Sequence, residues 1–249
     1  MTKFSLRVFV FFCAIFVTVN GRLPSTIPVC SRNHPNLSEC FSNAIKTLQP
    51  RIATGDLGPG YKVAPLEPLY IPQITYGEDQ GLKVHLSNVQ IKGASRFKIE
   101  KLRVNYQDLK IDVLLTVPKL NIFAKYKLSF NFLNEIVKSD GEYLSEFENS
   151  KIRVTLKGQK YFNNGQEFAR LDPLEVKFQR GKVIYVRLTN LFGGRSPAIS
   201  DVVHSILNNN PDFALNQIYP QVNGYLSKFA TEMAEKIFNG TPLDELFPN

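Results

Sequence analysis

The sequence predicts an α+β fold: a strongly curved antiparallel β-sheet wrapped around a long C-terminal α-helix, in a single elongated domain. Three observations carry that expectation. Apolar and charged residues alternate over much of residues 82–188, the pattern of strands with one buried and one solvated face. The alternation slips phase within runs, which marks bulges that bend a sheet. Towards its end the chain changes to the 3.6-residue spacing of amphipathic helices.

Taken in order, Met1 to Gly21 reads as a secretory signal peptide, with Lys3 and Arg7 before the apolar run Val8 to Val19. That run is short of the roughly 20 residues that a transmembrane helix needs. The mature chain, residues 22–249, then keeps Cys30 and Cys40 as its cysteines, and a secreted chain with one pair predicts a disulfide between them. Closing so short a loop contributes about 3 kcal/mol on the chain-entropy account. Asn36 and Asn239 head glycosylation sequons, consistent with the same compartment. Apolar residues at Leu37, Phe41, Ala44, Ile45, Leu48 and Ile52 predict a helix that Gly55 stops, with Cys40 near its start.

An extended, proline-punctuated stretch follows, and then the strands. Leu82, Val84 and Leu86 alternate before the phase slips to Val89 and Ile91; Phe97 and Ile99 alternate before it slips to Leu102 and Val104. Leu109 to Val117 forms one stripe, and Leu120 to Phe132 a second. Later stripes are Ile152/Val154/Leu156, Leu174/Val176/Phe178 and Ile184/Val186/Leu188, with turns expected at Asn164-Gly165 and Arg180-Gly181. Ser196-Pro197 predicts a short helix, and Asn210-Pro211 the start of a long one reaching Phe238, kinked at Pro220.

Composition excludes more than it selects. The net charge is +8, and the signal removes two basic and no acidic residues, leaving +6 on the mature chain. The basic residues lie on outward strand positions such as Lys151, Arg153 and Lys157, the pattern of a solvated face; attraction to anionic lipid is the functional alternative. A basic–aromatic array for nucleic acid is missing. His34, His85 and His204 lack metal-ligand spacing, and the glycines of "GDLGPG" do not lead from a strand into a helix, so they form a turn and not a phosphate cradle. No nucleophile–base motif is present, so an enzyme is not expected.

Six pieces in order, the C-x9-C pair, "GDLGPGYKVAPLEPLYIP", "LSNVQIKGASRFKI", "VPKLNIFAKY", "LTNLFGG…ISDVVHSILNNN" and "IFNGTPLDELFP", resemble the insect takeout / juvenile-hormone-binding-protein family along nearly the whole mature length. One departure is that Gly141 is followed by Glu142 and Tyr143 where the family often has G-x-G. The resemblance implies an apolar tunnel between sheet and helix. It implies a secreted, monomeric carrier of a juvenile-hormone-like terpenoid, fatty acid or isoprenoid, with no cofactor and only transient membrane contact. The other reading is a basic membrane-surface protein of the bactericidal or lipid-transfer type.

Most apolar stripe positions are ordinary core on this reading, and some line the tunnel. The candidates for ligand contact are Ile45, Leu86, Ile91, Phe97, Val113, Leu115, Ile122, Tyr126, Phe130, Val154, Phe178, Phe213, Tyr219, Val222 and Phe229. Tyr126 and Tyr219 place hydroxyls on apolar stripes. Each hydroxyl requires a partner, either a ligand oxygen or a backbone carbonyl.

Overall fold

A computed structural model describes residues 23–77, 82–132, 135–212, 216 and 218–249; the expected signal peptide, residues 1–21, lies outside the described residues. Helix α1 spans Leu37–Thr54. Asn36 caps it, its side-chain oxygen accepting from Glu39 N–H while its amide donates to the Glu39 carboxylate. Gly55 ends it at φ +79°, with its N–H on the Arg51 carbonyl. The expected bond is present: Cys30 and Cys40 form a disulfide with Cα atoms 6.0 Å apart.

Strands β1 (Asp56–Gly58) and β2 (Tyr61–Lys62) pair by themselves. The main sheet holds β3 (Leu69–Tyr76), β4 (Leu82–Lys92), β5 (Lys98–Asn105), β6 (Lys110–Phe132), β7 (Glu135–Asn163), β8 (Gln166–Leu171), β9 (Glu175–Gln179) and β10 (Lys182–Leu188). Its spine is the antiparallel β6–β7 hairpin, in unbroken register from Lys110↔Lys157 to Phe132↔Glu135. At about 3.3 Å per residue, the 23 residues of β6 trace roughly 75 Å, far beyond an ordinary strand. On the free edge of β6 lie β5 and then β4, with β3 beyond β4; on the free edge of β7 lie β8, β9 and β10, end to end.

The two phase slips read from the sequence are bulges. Pairing of β4 with β6 shifts between Ser87 and Gln90, where Asn88 has φ +54°, and pairing of β5 with β6 shifts between Ile99 and Lys101. The phase change between the stripe ending at Val117 and the one starting at Leu120 falls within β6 and is not a turn. Pro118 and Asn149 face each other between the pairs Val117↔Ser150 and Lys119↔Glu148, Asn149 at φ +56°. Both strands change face there together, so the inner surface stays apolar while the register is kept.

The same level is marked on the two neighbouring strands. Gly181 stands where a Cβ would lie 1.8 Å from the Glu148 carbonyl oxygen, and Gly93 where a Cβ would lie 2.2 Å from that of Lys119. The line Gly93–Pro118–Asn149–Gly181 is a crease across the sheet. Arg180-Gly181 is therefore not the hairpin turn that the sequence suggests, because β9 and β10 both run antiparallel to β7 along one edge. Asn164-Gly165 is a true two-residue hairpin with both residues at positive φ. A further bulge between Val183 and Tyr185 turns Ile184 outward, 40% exposed, out of its expected stripe.

Helix α2 spans Pro197–Asn209 and α3 spans Tyr219–Phe238; a short α4, Leu243–Leu246, follows. The single long helix expected from Asn210 is not formed. Asn210 closes α2, its N–H on the Ile206 carbonyl, and Pro220 sits in the first turn of α3, where its missing N–H costs nothing, instead of kinking a longer helix.

Both helices hold the sheet edge by side chain. The N–H groups of Leu174, Val176 and Phe178 donate to Thr231 Oγ1, Ser227 Oγ and Asn223 Oδ1 at 2.8, 2.9 and 2.8 Å. In β10, Val186 N–H donates to Asn208 Oδ1 at 2.7 Å and Leu188 N–H to His204 Nε2 at 3.0 Å. On the opposite edge, the Tyr225 hydroxyl of α3 donates to the Tyr70 carbonyl of β3 at 3.0 Å.

At the disulfide end the interior is filled. Phe247 is buried between Phe41 and Tyr106, with ring centroids 5.5 and 5.0 Å away, beside Leu109, Leu156, Phe238 and Leu243. Arg32, two residues from Cys30, holds this C-terminal segment: Nε donates to the Phe247 carbonyl, its backbone N–H to Pro248, and its guanidinium pairs with Asp244.

The crease is testable by adding a methyl group. Gly181→Ala is expected to lower the stability to urea unfolding by about 3 kcal/mol or more, because backbone must move to admit it. Gly165→Ala, at φ +78° with open space around it, is expected to cost only the left-handed penalty of about 1–2 kcal/mol. Equal losses at the two positions would show that the crease is not tightly packed.

Candidate ligand-binding site

Beyond the crease the inner face is not filled. The sheet, α2 and the start of α3 enclose a cavity of about 440 Å³. Strands β3 and β4 contribute Ile71, Ile74, Val84, Leu86 and Ile91; β6 contributes Leu120, Ile122, Tyr126 and Leu128; β7 contributes Tyr143, Phe147 and Ile152. Phe178, Val186 and Leu188 continue the wall along the far edge, and Val203, Leu207, Tyr219, Val222 and Leu226 close it from the helices. Among the described residues no charged side chain lines it, and the polar side-chain atoms of the lining are four tyrosine hydroxyls, at Tyr76, Tyr126, Tyr143 and Tyr219. The alternation of the strands produces this wall directly, since inward positions are apolar and outward ones charged. Of the outward lysines, Lys119 Nζ lies 2.7 Å from Glu146, and Lys125 and Lys127 stand opposite Glu142 and Asp140 in the strand register.

Tyr126 is buried, and its hydroxyl is fully engaged by the protein. It donates to the Thr189 carbonyl at 2.8 Å and lies 3.0 Å from Ser139 Oγ, which in turn accepts from Phe192 N–H at 3.2 Å. Gly141, its cross-strand partner, leaves the space through which the Thr189 carbonyl approaches, since a Cβ there would lie 2.3 Å from that oxygen. Gly141, with the Glu142 and Tyr143 that depart from the G-x-G pattern, thus sits within β7. Tyr126 shapes the wall with its ring and ties the segment after β10 to the sheet with its hydroxyl.

The profile of the haemolymph juvenile hormone binding protein (JHBP) family matches residues 8–248. The chain belongs to this family. Among solved structures, the crystal structure of Epiphyas postvittana Takeout 1 superposes with a TM-score of 0.73 at 18% identity, covering 89% of this chain and 99% of that one. A lipopolysaccharide binding protein gives a TM-score of 0.37 at 11% identity over 79% of this chain and 39% of that one, too low to bear on the fold. Among curated proteins no sequence matches significantly. Takeout 1 shares the curled antiparallel sheet with its helices, and the family is one of binding proteins.

Of the residues singled out in the sequence, Leu86, Ile91, Ile122, Tyr126, Phe178, Tyr219 and Val222 come together in the cavity wall. Phe97 is buried in the adjoining core, with Ile45 and Leu115 packed on it, and Val154 packs in the filled end. Val113 and Phe229 also lie away from the cavity, half-buried and buried respectively. Phe213 and the side chain of Phe130 lie outside the described residues. Tyr143 and Phe147 were missed because they fall on a stretch of β7 whose alternation is interrupted by Gly141 and Ser145. The helix α2 residues were missed because no ligand contact was read from that helix. Asn36 and Asn239 are both exposed, and the Asn36 side chain is engaged in capping α1. Among the described residues, no group of three or more His, Cys, Asp or Glu is placed to hold a metal, and no helix is long and apolar enough to cross a membrane.

Burial pushes the Tyr143 hydroxyl up to about 12, the adjacent Ser145 offsetting part of the rise, and pushes Tyr219 up to about 12, with the nearby Arg180 guanidinium offsetting part. Both tyrosines ionise near 10 in an unfolded chain. Between about 10 and 12 the unfolded state therefore holds fewer protons, and stability, complete below 10, falls as pH rises. Replacing Tyr143 by Phe is expected to flatten that fall in thermal unfolding measured against pH. Tyr126→Phe is expected to cost about 1–3 kcal/mol at neutral pH, by leaving the Thr189 carbonyl and Ser139 without their partner. A variant as stable as the wild type would remove Tyr126 from this structural role.

Proposed function

We propose that this chain is a secreted carrier that holds one long lipophilic molecule, a juvenile-hormone-like terpenoid, a fatty acid or an isoprenoid, in its interior. The observation that carries the reading is the wall of apolar side chains and tyrosines around a 440 Å³ cavity, within the roughly 300–1,000 Å³ of small-molecule sites. Family membership supports it: the name of the family is that of a hormone-binding protein of haemolymph. The signal-like segment at residues 1–21 supports export. In this reading the molecule acts as a monomer, needs no cofactor and performs no catalysis, because transport requires only that water be excluded from the cargo.

The energetics set a scale. Burying about 400 Å² of an isoprenoid contributes about 10 kcal/mol, and loss of translational freedom costs at least about 4. Apolar burial alone therefore supports binding in the range of tens of micromolar. Tighter binding requires a preorganised wall or a polar contact.

The test is a titration with a fluorescent fatty-chain probe, followed by displacement with unlabelled lipids. Raising the salt from roughly 0.01 to 1 M shortens the Debye length from about 30 to about 3 Å. Affinity is expected to stay within about threefold across that range, since the charges lie on the outer face. A loss greater than about tenfold would favour headgroup electrostatics at a membrane surface instead. Val222→Trp, which fills the cavity from α3, is expected to abolish probe binding while the chain still folds. Unchanged binding by that variant would place the ligand elsewhere.

A further inference from the structure

The outer face of the filled half carries a charge pattern that neither the fold nor the cavity uses. Strands β5, β6, β7 and β9 lie side by side there, and their register brings the outward residues together. Lys98, Lys101 and Arg103 come from β5, Lys110 from β6, Lys151, Arg153 and Lys157 from β7, and Lys177 from β9. The carboxylates among them are Glu100, Asp112 and Glu175, so the face holds 8 − 3 = +5. That is most of the +6 expected of the mature chain. At ordinary strand spacings the patch spans roughly 15 by 25 Å, so neighbouring charges lie within a Debye length of one another.

The carboxylates answer only part of this charge. Glu100, Asp112 and Glu175 lie 3.8, 3.1 and 2.7 Å from Lys151, Lys110 and Lys177. Among the described residues, Lys98, Lys101, Arg103, Arg153 and Lys157 stand in no salt bridge, and all five are exposed. Two like-charged pairs are directly opposed across strands, Lys110 with Lys157 and Arg153 with Lys177. Direct opposition of like charges destabilises a sheet, and an anionic partner would relieve it.

The same end carries an aromatic tip. The β6–β7 ladder ends at Lys110 and Lys157, and β7 runs on to Asn163 in a hairpin with β8. Next to the turn, Phe162 is 76% exposed, the most exposed large apolar side chain among the described residues. Tyr161 beside it stacks on Phe168 at 5.8 Å and lies beneath the Arg170 guanidinium at 5.7 Å. Alternation along β7 puts Tyr161 on the face of Arg153 and Lys157. A single exposed apolar residue needs no explanation, but adjacent aromatics on a hairpin tip bordering a basic face form a combined surface. Aromatic rings settle at the headgroup level of a bilayer, and cations are drawn to its anionic lipids. A soluble polyanion would engage the cations and leave Phe162 in water.

We propose that this end of the molecule docks on an anionic bilayer, the basic face drawing it to the surface and Phe162 entering the headgroup layer. The docking surface lies on the half away from the cavity, so it stands on observations independent of the carrier reading.

The experiment is co-sedimentation of the whole secreted chain with vesicles of phosphatidylcholine alone, or of phosphatidylcholine and phosphatidylserine at about 2:1. Binding to the anionic vesicles is expected, weakening more than about tenfold between roughly 0.05 and 0.5 M salt. Lys101→Gln combined with Arg153→Gln is expected to weaken it about 25-fold, at about fivefold for each cation near the surface. Phe162→Ser is expected to weaken it about tenfold. Both variants are expected to bind the fluorescent fatty-chain probe as the wild type does, which reports that they fold. Val222→Trp is expected to keep vesicle binding, and its loss there would place the lipid contact in the cavity and overturn the proposal. Equal binding to the neutral vesicles overturns it, as does no binding to either kind or full binding by the Lys101/Arg153 variant. If Phe162→Ser binds like the wild type and heparin displaces both equally, the face serves a soluble polyanion and bilayer docking is overturned.

Discussion

A strand edge packed beneath a helix must have its N–H groups answered by something other than another strand, because an unpaired buried donor is costly. In this molecule the answer comes from side chains at helical spacing. Asn223, Ser227 and Thr231 are four residues apart on α3 and meet alternate residues along β9 and its lead-in, Phe178, Val176 and Leu174. Two strand residues rise about 6.6 Å and four helix residues about 6 Å, so the two periodicities run nearly in step. His204 and Asn208 repeat the arrangement against Leu188 and Val186. With Tyr225 reaching Tyr70 on the far edge, α3 contacts both open sides of the curled sheet. The helices complete the wall around an interior that the strands alone leave open.

The curl depends on the crease. A strand of 23 residues with uninterrupted alternation would present one face from end to end and twist steadily along it. Pro118 removes a ladder donor and Asn149 takes a left-handed conformation opposite it, so both spine strands reverse their faces at once. Gly93 and Gly181 let the neighbouring backbones close in at the same level. Glu67 supports the line by accepting the Gly93 N–H at 2.9 Å. The crease divides the interior into two parts with different contents. On one side phenylalanine and leucine side chains fill the space; on the other the inward positions face a cavity.

Much of the fold was legible because strands write period-two patterns and bulges interrupt them visibly, as at Asn88 and Glu100. The continuity of β6 through Pro118 was not legible, since a proline and a phase change ordinarily mean that a strand ends. For the same reason Arg180-Gly181 looked like a reversal, although it is a close approach within one edge. The helix start at Tyr219 was hidden by the agreement of apolar spacing on both sides of Pro220. His204 looked like an isolated histidine because its partner is backbone, which carries no sequence signature. The site was partly legible. Stripes identify inward positions, as at Leu86, Ile122 and Val222, but Val154 and Phe178 share the same pattern, and only the packing around them separates filled core from cavity wall.

That separation has a consequence for stability. Side chains that face a cavity forgo the dispersion contacts that packed neighbours would give them, so the hollow half contributes less per residue than the filled half. The filled half is also where the covalent and ionic ties are concentrated. The Cys30–Cys40 disulfide joins the N-terminal arm to α1, and Arg32 from the same loop grips Phe247, Pro248 and Asp244. Phe247 then seals the end, 1% exposed and in contact with two aromatic rings. One short-range disulfide suffices because it fixes the loop through which Arg32 holds the C-terminal segment. The tightly packed end supplies rigidity through the shared strands β6 and β7, and the other end keeps an apolar interior free for something other than the protein's own side chains.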